Sequence, residues 1–98
     1  MSIKRLLIAN RGEIAIRIFR SARSVGLEVV GVCPEDDANA LHARLLPRCE
    51  RLCGVGTAAY LDMDEIIAAA TRSGADAIHP GYGFLSENAE FAARCKAE

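Results

Sequence analysis

Apolar and polar residues fall in blocks along this chain, and the period changes from block to block. Arg5-Leu6-Leu7-Ile8-Ala9-Asn10 is a short apolar run that stops at Arg11-Gly12, the signature of a buried strand. From Glu13 to Val25 the period is helical. At about 100° per residue, Ile14, Ala15, Ile18, Phe19, Ala22 and Val25 share one arc, and Glu13, Arg17, Arg20, Ser21, Arg23 and Ser24 share the other. Gly26 is placed to close this helix at its C-terminal end. Val29 to Cys33 is a second buried strand, stopped by Pro34.

Beyond it, Glu35-Asp36-Asp37 reads as a loop, Ala38 to Leu46 as a short helix that Pro47 ends, and Arg51 to Cys53 as a weak strand. Gly54 to Thr57 then reads as a loop. Asp62 predicts the N-cap of the next helix. Glu65 completes a capping box, and Leu61 and Ile66 occupy the staple positions. That helix is expected to run to Ser73 and stop at Gly74. Ala75 to His79 gives a fourth strand, Pro80 to Leu85 a loop, and Ser86 caps a last helix from Glu87 to Lys96.

The resulting order is βαβαβαβα. Strands this apolar need cover on both faces, so the sheet should be parallel with right-handed crossovers. The fold class is therefore α/β: a Rossmann-like parallel sheet in a three-layer αβα arrangement, ending after a fourth helix. Ligands approach such sheets at the carboxyl ends of the strands. Here those ends are Asn10 to Gly12, Pro34 to Asp37, Gly54 to Thr57 and Pro80 to Leu85.

Composition narrows the class. At 98 residues the chain holds one core, hence one domain over 1–98. Its 51% apolar and 26% charged residues suit a globular protein. The first apolar run is too short for a signal-peptide core, and no run is long enough for a membrane span, so the expected location is cytoplasmic. The net charge of −1 conceals a net +5 in residues 1–23 and −6 in the remainder. The arginines are interrupted by Ile and Leu and have no aromatic stacking partners, which argues against nucleic acid. Cys33, Cys49, Cys53 and Cys95 read as reduced, partly buried thiols; a metal site is the alternative, with His42 and His79 far away in sequence.

Three features could carry chemistry. Asn10-Arg11-Gly12-Glu13 occupies the first βα turn, where a dinucleotide fold keeps a G-x-G-x-x-G loop. One glycine is present, and Glu13 would repel phosphate from the helix start, so a structural turn is favoured. The acids Glu35 to Asp37 lie about twenty residues on, where a ribose-binding acid is expected, and keep a nucleotide module open. Ile16 lies among arginines on the polar arc. Set between Arg23 and Arg20, it reads either as the rim or centre of a protein contact or as a singly exposed residue. His79-Pro80-Gly81-Tyr82-Gly83-Phe84-Leu85-Ser86-Glu87-Asn88 places two glycines around a tyrosine just after a strand. This is either a ligand-contacting rim or a Gly-rich turn with a buried aromatic.

These blocks carry a resemblance. Ile8 to Ala15 (IANRGEIA), His42, Tyr60-Leu61 and Asp76 to Asn88 (DAIHPGYGFLSEN) together resemble the N-terminal domain of biotin carboxylase, the component shared by acetyl-CoA, propionyl-CoA, pyruvate and related biotin-dependent carboxylases. The likeness spans essentially the whole chain. It implies a pre-ATP-grasp fold, Rossmann-like without the phosphate loop. It implies a full enzyme, a C–N bond-forming ligase, that activates bicarbonate with ATP and Mg2+ (or Mn2+) as carboxyphosphate. That enzyme then carboxylates biotin held on a carrier domain, the first half-reaction of a biotin-dependent carboxylase.

The resemblance places ATP, metal and catalytic residues in ATP-grasp and C-terminal domains absent from these 98 residues. On that basis the segment alone is inactive, contains no catalytic residue and binds none of these cofactors. It also implies that Tyr82 and Gly83 lie beside the biotin ring system, that Glu87 lies on the same rim, and that Ile16, Arg17 and Arg20 fall at a homodimer interface. Three departures stand out: Ser24 where relatives carry an acid, Pro47-Arg48-Cys49-Glu50 where an Ala-Asp-Glu-like run is usual, and a short Gly54 to Ala59 loop. A stand-alone nucleotide-binding module and a non-catalytic assembly module are the competing readings. The last helix is expected to be poorly covered.

Overall fold

The computed structural model describes residues 3–37, 41–81, 85 and 88–97. Four strands, β1 (Arg5–Ile8), β2 (Glu28–Pro34), β3 (Cys49–Leu52) and β4 (Ala77–His79), form one parallel sheet in the order β3-β2-β1-β4. Five α-helices accompany them among the described residues: α1 (Gly12–Ser24), α2 (Leu41–Leu45), α3 (Gly56–Tyr60), α4 (Met63–Ser73) and α5 (Ala89–Ala97).

The alternation of side chains along β1 divides the core. Leu6 and Ile8 face one way and pack with Ala15, Phe19 and Ala22 of α1, and with Leu46. Leu7 and Ala9 face the other way and pack with Tyr60 of α3, Ile66 and Ile67 of α4, and Phe91 of α5. This is the expected αβα sandwich, with helices on both faces of an all-parallel sheet. Leu7, Ile8 and Val32 have no exposed surface, and burial of each such side chain stabilises by about 1.5–3 kcal/mol. Gly31 of β2 is required by a close approach: a Cβ there would sit 2.6 Å from Leu46 Cδ2.

Several expectations need correction. Residues 54–59 are not all loop, since α3 begins at Gly56, so the last helix is the fifth rather than the fourth. Asp36 accepts from the Gly56 N–H with both carboxylate oxygens at 3.0 Å and supplies the start that the local sequence lacks. Glu35 to Asp37 form a single 3-10 turn. Asp62 does cap α4, accepting from the Glu65 N–H at 3.2 Å, and Gly74 ends it in the left-handed region at φ +72°. The capping box is not reciprocal, however, because the Glu65 carboxylate accepts from the Cys53 N–H at 2.7 Å instead. Leu61 is exposed, so no staple closes over Ile66.

Asn88 caps the described helix α5, accepting from the Phe91 N–H at 2.9 Å. Ser86 and the expected helical residues 38–40 lie outside the described residues. Phe91 is buried, while Glu90, Ala92, Ala93 and Lys96 are exposed, so α5 is thinly covered as expected. No helix among the described residues is long and apolar enough to cross a membrane.

Candidate functional site at the carboxyl edge of the sheet

Strand order 3-2-1-4 means that the chain leaves β1 toward one side and returns at β4 on the other. The carboxyl ends of β1 and β4 therefore form the topological switch point, where α/β sheets bind ligands. Two segments meet there, Asn10 to Glu13 and Pro80-Gly81. The Ala9 N–H donates to the His79 carbonyl at 3.0 Å, extending the ladder past the last residue of β1. The Asn10 side chain is 1% exposed. Its Nδ2 donates to the Pro80 carbonyl at 2.7 Å, and its Oδ1 accepts from the Arg11 N–H at 2.8 Å. Gly81 has φ +71°, and a Cβ there would lie 2.7 Å from Asn10 Nδ2 and 3.0 Å from Ile14 Cγ2. Glycine is required on both grounds.

The start of α1 is closed by an unexpected residue. The Gly12 N–H donates to Nδ1 of His42 at 3.2 Å, and His42 Nε2 lies 3.0 Å from the Val32 carbonyl and 3.3 Å from the Tyr60 hydroxyl. His42 and Tyr60 are fully buried. Neither role has a local sequence signal, because the partners lie 30 and 18 positions away. The available hint was a histidine in a short helix between two apolar strands.

The expected site residues fare differently. Asn10, Arg11, Gly12 and Glu13 form the turn, and its Gly12 amide donates to His42. Tyr82, Gly83 and Glu87 lie outside the described residues, although Gly81, which precedes them, lies close against Asn10 and Ile14. Arg17 and Arg20 are exposed. Ile16 is not: it is 5% exposed, because α2 packs on α1 and Leu45 shares a cleft with Ile16, Phe19 and Arg20. Its position among arginines on the helical wheel reflected a second helix, not solvent. Arg17 instead borders a cleft of about 640 Å3 with Ile14, Ile18, His79 and Gly81.

The remaining titratable groups fit a structural role. Cys33, Cys49 and Cys53 are in no disulfide. Burial, followed by the neighbouring Cys33 thiol, pushes Cys49 up to about 12, which disfavours its thiolate. Exposed Cys53 is also raised, by a hydrogen bond to the Glu65 carboxylate and by its charge. Among the described residues no three His, Cys, Asp or Glu side chains converge. With the Gly12 amide engaged as well, these residues do not fit a divalent cation or a nucleotide phosphate.

The fold and this edge define a Rossmann-like αβα layer whose first turn is closed by protein side chains rather than by phosphate. Residues 2–98 match the family model described as "Biotin carboxylase, N-terminal domain", and the chain belongs to that family. It is 51% identical to Biotin carboxylase 1 of Bacillus subtilis (strain 168), an alignment covering 96% of this chain and 21% of that protein. It is 50% identical to the mitochondrial methylcrotonoyl-CoA carboxylase subunit alpha of Oryza sativa subsp. japonica, covering 99% of this chain and 13% of that one. The structure of the biotin carboxylase domain of a single-chain bacterial carboxylase superposes with a TM-score of 0.92 at 48% identity, covering 96% of this chain and 22% of that chain. The chain thus spans about a fifth or less of these relatives.

Proposed function

We propose that this chain serves as the N-terminal domain, residues 1–98, of a biotin carboxylase. In that enzyme bicarbonate is activated by ATP and Mg2+ and biotin on a carrier domain is carboxylated. The switch-point edge supplies part of the biotin-facing rim through Tyr82, Gly83 and Glu87, and ATP-grasp and C-terminal domains supply the nucleotide, metal and catalytic groups. Exposed Arg17 and Arg20 on α1 serve a homodimer contact. The thiols of Cys33, Cys49 and Cys53 suit a reducing compartment, and we place the protein in the cytoplasm.

The observation that carries this reading is the family match across residues 2–98, joined to a first turn whose Gly12 amide is occupied by His42. That occupancy disfavours a stand-alone nucleotide module. Nearly equal identity to a biotin carboxylase and to a methylcrotonoyl-CoA carboxylase subunit leaves the acceptor to other parts of such enzymes.

The test is a chimera in which these 98 residues replace the matching segment of the Bacillus subtilis relative. It is expected to carboxylate free biotin with bicarbonate-dependent ADP release. Tyr82→Ala in the chimera should raise KM for biotin about tenfold, the effect of a lost binding contact, and leave KM for ATP unchanged. Tight calorimetric binding of ATP to the 98-residue chain alone, or an unchanged biotin KM in the variant, overturns the reading.

A further inference from the structure

His42 belongs to α2, a helix of five residues, yet its ring joins three other elements. A backbone N–H can only donate and a backbone carbonyl can only accept. The Gly12 N–H points at Nδ1, so Nδ1 carries no proton; the Val32 carbonyl faces Nε2, so Nε2 carries one. The backbone on the two sides of the ring thus imposes the neutral Nε2–H tautomer. The Tyr60 hydroxyl, on the Nε2 side, accepts a share of the same N–H. A helix leaves its first amides without intrahelical partners, and the Arg11 side chain at the N-cap of α1 does not cap them. Gly12 itself sits at φ +62°, where local preference does not hold it. His42 therefore acts as the cap of α1 from another helix.

We infer that His42 is a positioning residue for the biotin-facing rim: its Nε2–H tautomer caps α1 through the Gly12 amide, fixes the Asn10-Arg11-Gly12 turn, and through Asn10 holds Pro80 and Gly81. Tyr82 and Gly83 follow directly in sequence. The clause on the rim rests on the proposed function; the clause on the cap does not.

Nitrogen-15 NMR of the wild-type 98-residue chain at neutral pH reads the tautomer directly. A bare Nδ1 and a protonated Nε2 are expected, and the reverse pattern overturns the cap. Three variants then separate the ends of the ring. In His42→Asn the side-chain oxygen remains near Gly12, whereas in His42→Gln the amide reaches only the Val32 end. Exchange of the Gly12 amide, referenced to the Leu7 and Ile8 amides, should accelerate about tenfold in His42→Gln and His42→Leu, as for one lost hydrogen bond, and by less than about threefold in His42→Asn. Equal exchange in the Asn and Gln variants means that His42 merely fills space, and overturns the cap. Should the variants fail to fold, the wild-type tautomer still decides. For the rim, His42→Leu in the chimera should raise biotin KM with ATP KM unchanged, and an unchanged biotin KM overturns that clause. If Tyr82→Ala is silent while tautomer and exchange behave as expected, the functional reading falls and the cap stands.

Discussion

The two ends of the sheet use similar polar chemistry in opposite surroundings. At the amino end, Asp76 accepts from the Lys4 and Arg5 N–H groups at 2.9 Å each, and Arg5 pairs with Glu28 at 2.7 Å. These groups stand in water: the side chains of Arg5 and Glu28 are 35% and 67% exposed. At the carboxyl end, Asn10 and His42 make comparable bonds with almost no exposed surface. A broken bond at the amino end is replaced by water, whereas a buried donor or acceptor that loses its partner pays its full desolvation. The amino end therefore tolerates change. The carboxyl end, where the fold places its site, holds one geometry.

The sharpest test of that contrast compares two glycines of similar backbone conformation. Gly81, at the carboxyl end, has φ +71° and is crowded by Asn10 and Ile14. Gly26, at the amino end, has φ +85° and nothing within 4 Å of where its Cβ would stand. Gly81→Ala combines backbone strain with overpacking and should cost about 3 kcal/mol or more, whereas Gly26→Ala meets strain alone, about 1–2 kcal/mol. Urea unfolding measures both. Equal losses would break the contrast, because strain would then be the whole effect.

Next in size is Asn10→Leu. It strands the Pro80 carbonyl and the Arg11 N–H in a part-buried setting and should cost about 1–2 kcal/mol. The measurement is again urea unfolding, together with the amide signals of Gly81, which should move while those of Gly26 stay. A loss below about 0.5 kcal/mol, the range of an ordinary surface change, would mean that water satisfies these groups.

What the sequence made legible follows from whether the controlling contact was local. The cap of α4 at Asp62 and its stop at Gly74 are written within a few residues of where they act, and the structure repeats them; the period of α1 holds only in part, since Val25 on the apolar arc is exposed and Ile16 on the polar arc is buried. The missing phosphate loop was equally legible from one glycine at Gly12. Where the decisive partner lay far away, the reading failed or fell silent. Helix α3 starts because Asp36 reaches the Gly56 amide from 20 residues back. Ile16 is buried because α2 returns over α1. The Glu65 carboxylate prefers the Cys53 amide, 12 residues away, to the nearby N-cap. The candidate site is the extreme case. Asn10 reads as a turn residue, but its bond to Pro80 spans 70 residues, and the role of His42 arises only where three other elements converge on it.

The smallest expected effect belongs to the amino end and is read through pH. Hydrogen bonds from the Arg5 and Lys4 backbone amides hold the Asp76 carboxyl below the ordinary aspartate range. A carboxyl depressed in the folded state binds its proton more weakly there than in the unfolded chain. Its contribution is therefore fully present above the unfolded value and is lost as pH falls through that value toward the folded one. Asp76→Asn removes the charge while keeping an acceptor for one of the two amides. The variant should melt slightly below wild type at neutral pH, and the gap should close as both are acidified below the ordinary aspartate value. Because Asp76 is solvent-exposed, this gap should be smaller than the loss in Asn10→Leu measured by melting under the same conditions. If Asp76→Asn costs as much as Asn10→Leu, or its gap widens on acidification, exposure is not what separates the two ends, and the rigidity of the carboxyl edge needs another cause.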